Sequence, residues 1–268
     1  MSQPGAGSPD ITALAPGLAA LGPYFAIETH DPVSPPARPW VPLTDLITSP
    51  GRLRARVQEV REALAAAAGR KPEDVELRAA ASVAQLGLAA RMLSPVIGAA
   101  VLGRSLAVDV GQARWIPSLG GPFRLSLPAA VPPTTGLATA SPGGGARRDG
   151  RAGWDLLDGP IRSLVRTTAS LAVSEHVLWG NVSSAVNGAA AMIARTRPDL
   201  GTRAATVATG MLGFPALAHS YHGQPVRSYR RRSCCLIYRI GPPAAATYCG
   251  DCVLTGRRTQ TAARRSSP

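Results

Sequence analysis

All four cysteines of the chain, Cys234, Cys235, Cys249 and Cys252, fall within 19 consecutive positions near the C-terminus. No other feature restricts the fold so tightly, because thiolates gathered at one place ask the backbone to converge on a common centre. Cys249-Gly-Asp-Cys252 is a C-x-x-C hook, whose two intervening residues let both sulfurs turn toward one metal site. Gly250 would let backbone amides approach those sulfurs. Cys234-Cys235 is a vicinal pair. Neighbouring side chains on an extended strand point to opposite faces, so this pair reaches one centre only where the strand is distorted. A two-iron cluster offers a wider target than a single zinc, whose sites use C-x2–4-C spacing on both arms. A Rieske centre needs two His ligands, and His222, the last His of the chain, has no partner at fitting spacing. An iron–sulfur site is the preferred reading; structural zinc, disulfides and free or vicinal redox thiols stand as alternatives.

The remainder of the chain is globular in composition, with 45% hydrophobic and 17% charged residues over 268 positions. Aromatics are scarce and Ala dominates, which predicts a core of Ala, Leu and Val on packed helices. No Arg or Lys precedes the first apolar stretch, so a secretory signal is not expected. The most apolar long stretch, Ala79 to Leu102, contains Gln85, Arg91 and Pro95. A central Arg costs roughly 2.5–3.5 kcal/mol on membrane-insertion scales, so a buried helix or helix pair is expected there. These features predict a cytoplasmic protein, a compartment where clustered cysteines more often hold metal than form disulfides.

The net charge is +13, carried almost wholly by Arg. From Val226 onward nine Arg face a single acid, Asp251, a net +8. Such a patch suits an acidic redox partner, an anionic ligand, nucleic acid or an anionic membrane surface. Nucleic acid is not expected. Aromatics are few, no recognised motif appears, and the basic residues flank the cysteines instead of forming a helical stripe.

The expected fold class is α+β and mainly α-helical: a helical domain with a few short strands and a small C-terminal Cys-rich element. Residues 1–39 are expected to be disordered or irregular, and 40–127 to form an N-terminal helical half. Residues 128–153 read as a Pro/Gly-rich flexible loop, 154–228 as a C-terminal helical half, 229–255 as the cysteine element and 256–268 as a basic disordered tail. Within these, Asp45 or Ser49 caps a helix over Arg52–Ala68, and Lys71-Pro72-Glu73-Asp74 restarts it toward Met92, with resumption after Pro95. Phe123–Leu127 alternates like a strand. Apolar positions from Ile161 to Ile193 keep a 3.6-residue spacing that Pro198 ends. Arg203–Leu212 predicts a further helix and Ser233–Ile240 a strand.

Arg231-Arg-Ser-Cys-Cys-Leu-Ile-Tyr-Arg239, followed by Tyr248-Cys-Gly-Asp-Cys-Val-Leu254, resembles the C-terminal segment of the FhuF-like ferric-siderophore reductases. Weaker resemblance extends through Val83–Leu93 and Leu178–Val182, similar to the family from about residue 40. The resemblance implies a C-C-x10-C-x2-C signature binding one [2Fe–2S] cluster through Cys234, Cys235, Cys249 and Cys252. Here the spacer is thirteen residues; lengthening a flexible loop from ten to thirteen costs only about 0.2 kcal/mol of closure entropy. The resemblance further implies an oxidoreductase of the ferric-chelate reductase type, acting on imported ferric siderophore. Its electrons would come from an external donor, ferredoxin-like or a reductase, because the chain has no G-x-G-x-x-G dinucleotide fingerprint.

Several other residues are candidates. Arg230, Arg231, Arg232 and Arg239 would tune cluster charge or dock a partner, and also read as a solvated loop. Trp115 and Arg124 would line a siderophore cleft. Trp179 reads as core, Gly180 as a point of close helix packing, and His219 and His222 as surface loop residues. No hydrolytic constellation stands out, and no catalytic side chain is assigned. Peripheral contact with the inner membrane is a further candidate property. The competing function classes are a zinc-stabilised basic binding module and an iron–sulfur carrier with a non-siderophore acceptor.

Overall fold

A computed structural model describes residues 11–129, 153–241 and 248–255. Residues 1–10, most of the expected 128–153 loop, most of the spacer between the cysteine pairs and the 256–268 tail lie outside them. The helices are α1 (Ile11–Ala19), α2 (Thr44–Thr48), α3 (Pro50–Ala67), α4 (Leu77–Val101), α5 (Arg162–Ala169), α6 (Glu175–Thr196) and α7 (Gly201–Leu212). The strands are short: β1 (Glu28–His30), β2 (Val41–Pro42), β3 (Arg114–Ile116), β4 (Arg124–Pro128), β5 (Tyr221–His222) and β6 (Arg230–Arg231). Four of them form one sheet in the order β1-β4-β3-β2, with β1 parallel to β4 and the other pairs antiparallel. β5 and β6 form a separate antiparallel hairpin, pairing Tyr221 with Arg231 and His222 with Arg230. The chain is therefore mainly helical, as its composition predicts.

The core is built on α4 and α6, which pack along each other, with α3 on one side of α4 and α7 against α6. α4 is buried nearly all round, from Ala79 through Val101. By length and composition alone it could cross a membrane, but 72% of its most apolar window is buried inside the protein. It is a core helix, and Arg91 gives the reason for the charge at its centre. Nε donates to Phe123 O at 2.8 Å, Nη1 to Tyr24 O at 2.9 Å and Nη2 to Ala26 O. One buried guanidinium thereby satisfies three carbonyls that the N-terminal segment and the sheet edge would otherwise leave unpaired.

Three expected elements take a different form. α4 runs without interruption through Pro95, because packing on all sides outweighs the one hydrogen bond that proline removes. The long 161–193 periodicity is two helices. α5 ends at Ala169, the chain reverses through Ala172 with a left-handed φ of 59°, and Ser174 caps α6 by accepting from Val177 N at 3.4 Å. Both helices pack on one core, so their apolar spacing continues across the break. Third, no strand covers Ser233–Ile240: β6 ends at Arg231 and the cysteine pair sits in a turn before a short 3-10 helix, Ile237–Arg239. Ser49 rather than Asp45 caps α3, accepting from Arg52 N.

Replacing Arg91 by Met should leave the Tyr24, Ala26 and Phe123 carbonyls buried without donors and lower stability by about 3 kcal/mol. The urea midpoint should fall at unchanged slope, whereas Arg124→Gln, on an exposed ion pair, should leave the midpoint nearly unmoved.

Candidate metal centre

Two segments bring the cysteines together. Cys234 and Cys235 follow the β6 strand. The Cys249–Cys252 turn, closed by Cys252 N donating to Cys249 O at 3.1 Å, hangs beside that strand. Arg231 N donates to Asp251 O at 3.1 Å and Arg230 Nη1 to Gly250 O at 2.8 Å, so the strand itself grips the turn. Ser184 on α6 adds a hydrogen bond to the Asp251 carboxylate. After the vicinal pair, Leu236 adopts φ +67°, and the backbone turns there instead of extending. This is the distortion that lets adjacent cysteines face one centre. Leu236 N donates to Cys234 Sγ at 3.4 Å and Leu254 N to Cys252 Sγ at 3.3 Å.

None of the four cysteines is disulfide-bonded; Cys235 and Cys252 are buried, Cys234 and Cys249 half-buried. Cys234 and Cys249 both hydrogen-bond to Cys235, and together with the Ile237 amide and the Arg231 charge they hold its thiol far below the usual range despite burial. The same bonds to Cys235, reinforced by burial, push Cys234 and Cys249 upward. Cys252 acts electrostatically on both of them. Among the described residues no three His, Cys, Asp or Glu side chains are grouped to hold a metal ion. Two thiols on each of two segments suit a binuclear cluster, which takes two thiolates on each iron.

Behind the cysteines lies a buried polar junction. Asn181 on α6 donates to Ser82 O at 2.9 Å, Ser82 Oγ at 3.0 Å and Gln85 Oε1 at 2.9 Å, all on α4, and accepts from Arg231 Nη2. Ser82 Oγ donates to Cys235 O at 2.8 Å. Arg231 is 0% exposed, yet among the described residues its Nε and Nη1 have no hydrogen-bond partner, and neither does the buried Ser233 hydroxyl. A buried cation with idle donors beside four thiols fits a dianionic group bound there, such as an oxidised [2Fe–2S] cluster with its thiolates.

The four candidate arginines divide. Only Arg231 is buried at the thiols. Exposed Arg230 holds the Cys249–Cys252 turn, exposed Arg232 donates to Tyr221 O at 2.9 Å, and Arg239 pairs with Glu76 at 2.6 Å. Trp115 and Arg124 stand on the paired strands β3 and β4, one register position apart, and the Arg124 guanidinium lies 5.1 Å over the Trp40 ring. Trp115 is buried and lines a cleft of about 880 Å³ with Trp40, Arg38, Arg52 and Arg56. Arg124 does not line that cleft; it is bonded to Glu28 at 2.6 and 2.7 Å. The cleft borders the N-terminal half of α3, whereas Arg70, beyond the other end of α3, holds Ile240 O of the cysteine loop at 2.8 Å. A helix rises 1.5 Å per residue, so the two places lie about 15–20 Å apart along α3. Trp179 is core, and His219 and His222 are exposed.

Sequence reasoning assigned no site role to Ser82, Gln85, Asn181 or Ser184. The available signal was a run of small and polar residues on faces whose spacing demanded core. Gly250, expected to admit close backbone, would meet nothing within 4 Å of an added Cβ. Gly180 is tight, as its reading as a point of close packing predicts, although its neighbour is the cysteine segment and not another helix: a Cβ there would lie 2.0 Å from Ser233 Oγ and 3.2 Å from Arg231 Nη2. Gly180→Ala should push the Cys234–Cys235 turn off α6. Its cluster absorbance per chain should fall at least several-fold while the helical circular dichroism stays near that of the parent.

Residues 231–254 match the family model of the FhuF 2Fe-2S C-terminal domain. No curated protein and no solved structure matches the chain. With the buried arginine, the four thiols and the amides on their sulfurs, the match identifies the cofactor as a [2Fe–2S] cluster, and the chain as carrying the Cys-rich C-terminal element of the FhuF-like family at residues 231–254.

Proposed function

We propose that this protein is a ferric-siderophore reductase, delivering one electron to chelated Fe(III) so that iron leaves as Fe(II) in the cytoplasm. The observation that carries this reading is the one-sided exposure of the thiols: Cys235 and Cys252 are buried, whereas Cys234 and Cys249 reach the surface. When bound, a [2Fe–2S] cluster supplies single electrons, the number needed to take Fe(III) to Fe(II). In this reading Cys234, Cys235, Cys249 and Cys252 are its ligands. Hydroxamate and catecholate oxygens hold hard Fe(III) much more tightly than Fe(II), so one electron is enough to loosen the chelate.

The chain's own residues set the approach. Burial of Cys235 and Cys252 against α4 and α6 leaves the Cys234 and Cys249 side for a bulky chelate to come close, without a deep pocket. Exposed Arg227, Arg230 and Arg232 stand on the same hairpin and its turn. They favour anionic chelates, or an acidic donor protein that recharges the site, through charge complementarity that salt screens. The Trp115 cleft lies at the other end of α3 and takes no part in electron delivery in this account.

The test is reoxidation. Dithionite-reduced protein, freed of excess reductant, is mixed without air with ferric hydroxamates, catecholates and citrates while the visible absorbance is followed. Reoxidation should accelerate with at least one class, with Fe(II) captured by ferrozine in equal amount. For an anionic chelate the rate should fall as salt rises. No acceleration by any of the three classes would remove the siderophore assignment while leaving the cofactor in place.

A further inference from the structure

The described residues contain six buried side-chain polar atoms without a hydrogen-bond partner. Two belong to Arg231 and one to Ser233, both about fifty positions beyond Asn181 in sequence but packed against α6: they crowd Gly180, and Asn181 accepts from Arg231 Nη2. A fourth is Gln85 Nε2, whose own oxygen accepts from Asn181. Unpaired buried donors each cost free energy, and a buried guanidinium with two idle N–H groups costs most. They are concentrated at the end of β6 that leads directly into Cys234 and Cys235, beside the Asn181–Ser82 junction that holds Cys235 O. Elsewhere in the fold buried arginine is satisfied, as Arg91 is by three carbonyls.

We infer that Arg231, through Nε and Nη1, and Ser233, through its hydroxyl, donate hydrogen bonds to the sulfurs of the bound cluster from the interior side, and that Asn181 is the positioning residue that aims Arg231. The inference rests on the four cysteines holding the cluster and not on the siderophore assignment. Cluster potentials follow net charge, hydrogen bonds to sulfur and solvent exposure. A fixed cation donating to the sulfurs stabilises the reduced, more negative state. Arg231, and not exposed Arg230 or Arg232, then sets the potential at which the protein accepts its electron. Arg230 spends its Nη1 on Gly250 O and Arg232 its Nε on Tyr221 O, so both act on loop geometry.

Anaerobic redox titration followed by visible absorbance tests this without any siderophore. Arg231→Gln should change the ratio of reduced to oxidised cluster at fixed ambient potential by tenfold or more toward oxidised, a 59 mV fall for a one-electron couple. Asn181→Ala should shift it the same way by less, and Arg232→Gln, which removes the same charge one residue away without touching the Cys249–Cys252 turn, should leave it within twofold of the parent. Equal shifts for Arg232→Gln and Arg231→Gln, or no shift for Arg231→Gln, would overturn the inference. Should Arg231→Gln fail to fold, the parent protein decides. With 15N-labelled arginine, pulsed electron paramagnetic resonance of the reduced cluster should show an arginine 15N coupling that persists in Arg230→Gln; its absence would overturn the assignment.

Discussion

The hydrogen bond between Asn181 and Arg231 ties the cysteine element to the helical core. Asn181 sits at the centre of the packing between α4 and α6, and its amide nitrogen is committed to Ser82 and Gln85. Its oxygen is thereby left to the guanidinium of the β6 strand. Burying an arginine this deeply is costly unless its donors are used. The sequence tolerates it because the same strand delivers Cys234 and Cys235, and the strand's backbone holds the Cys249–Cys252 turn through Asp251. The helical core thus provides a rigid wall with one polar spot, and the cysteine loops are pinned to that spot. Gly180 is the steric counterpart, since its lack of a side chain is what lets Ser233 and Arg231 approach α6.

The outer side follows a different logic. Cys234 and Cys249 reach the surface, and the arginines around them are exposed or committed to backbone carbonyls and a surface carboxylate. Charge at the surface steers partners and is screened by salt, while charge in the interior acts on the bound group at close range. In the proposed reading these two tasks fall to three consecutive residues, Arg230, Arg231 and Arg232, which alternation along the strand divides: one is buried and its neighbours are exposed. The cleft around Trp115 and Trp40 belongs to neither task and is held apart by the length of α3.

Much of this was legible in the sequence where the signal is local. The cysteine spacing marks the centre, apolar periodicity marks the helices, and alternation marks β4 at Arg124–Pro128. Signals failed where tertiary packing overrides local preference. Pro95 reads as a break but is carried through by burial on every side of α4. The 161–193 pattern reads as one helix, because a core rewards the same spacing on both sides of the Ala172 turn. Ser233–Ile240 has strand-like composition, yet both cysteines must face one centre, and the left-handed Leu236 meets that demand. Arg231 could not be told from its neighbours because its burial depends on which face β6 turns to α6. Asn181 was likewise unreadable, since its partners lie about a hundred positions upstream and fifty downstream.

Metal and sulfide content tests the central claim most directly. Protein purified without air should contain about two iron atoms and two acid-labile sulfides per chain, little zinc, and visible charge-transfer absorption that bleaches on reduction. Serine at Cys235 or Cys252 should abolish that content. A colourless protein with one zinc per chain and no sulfide would contradict the account.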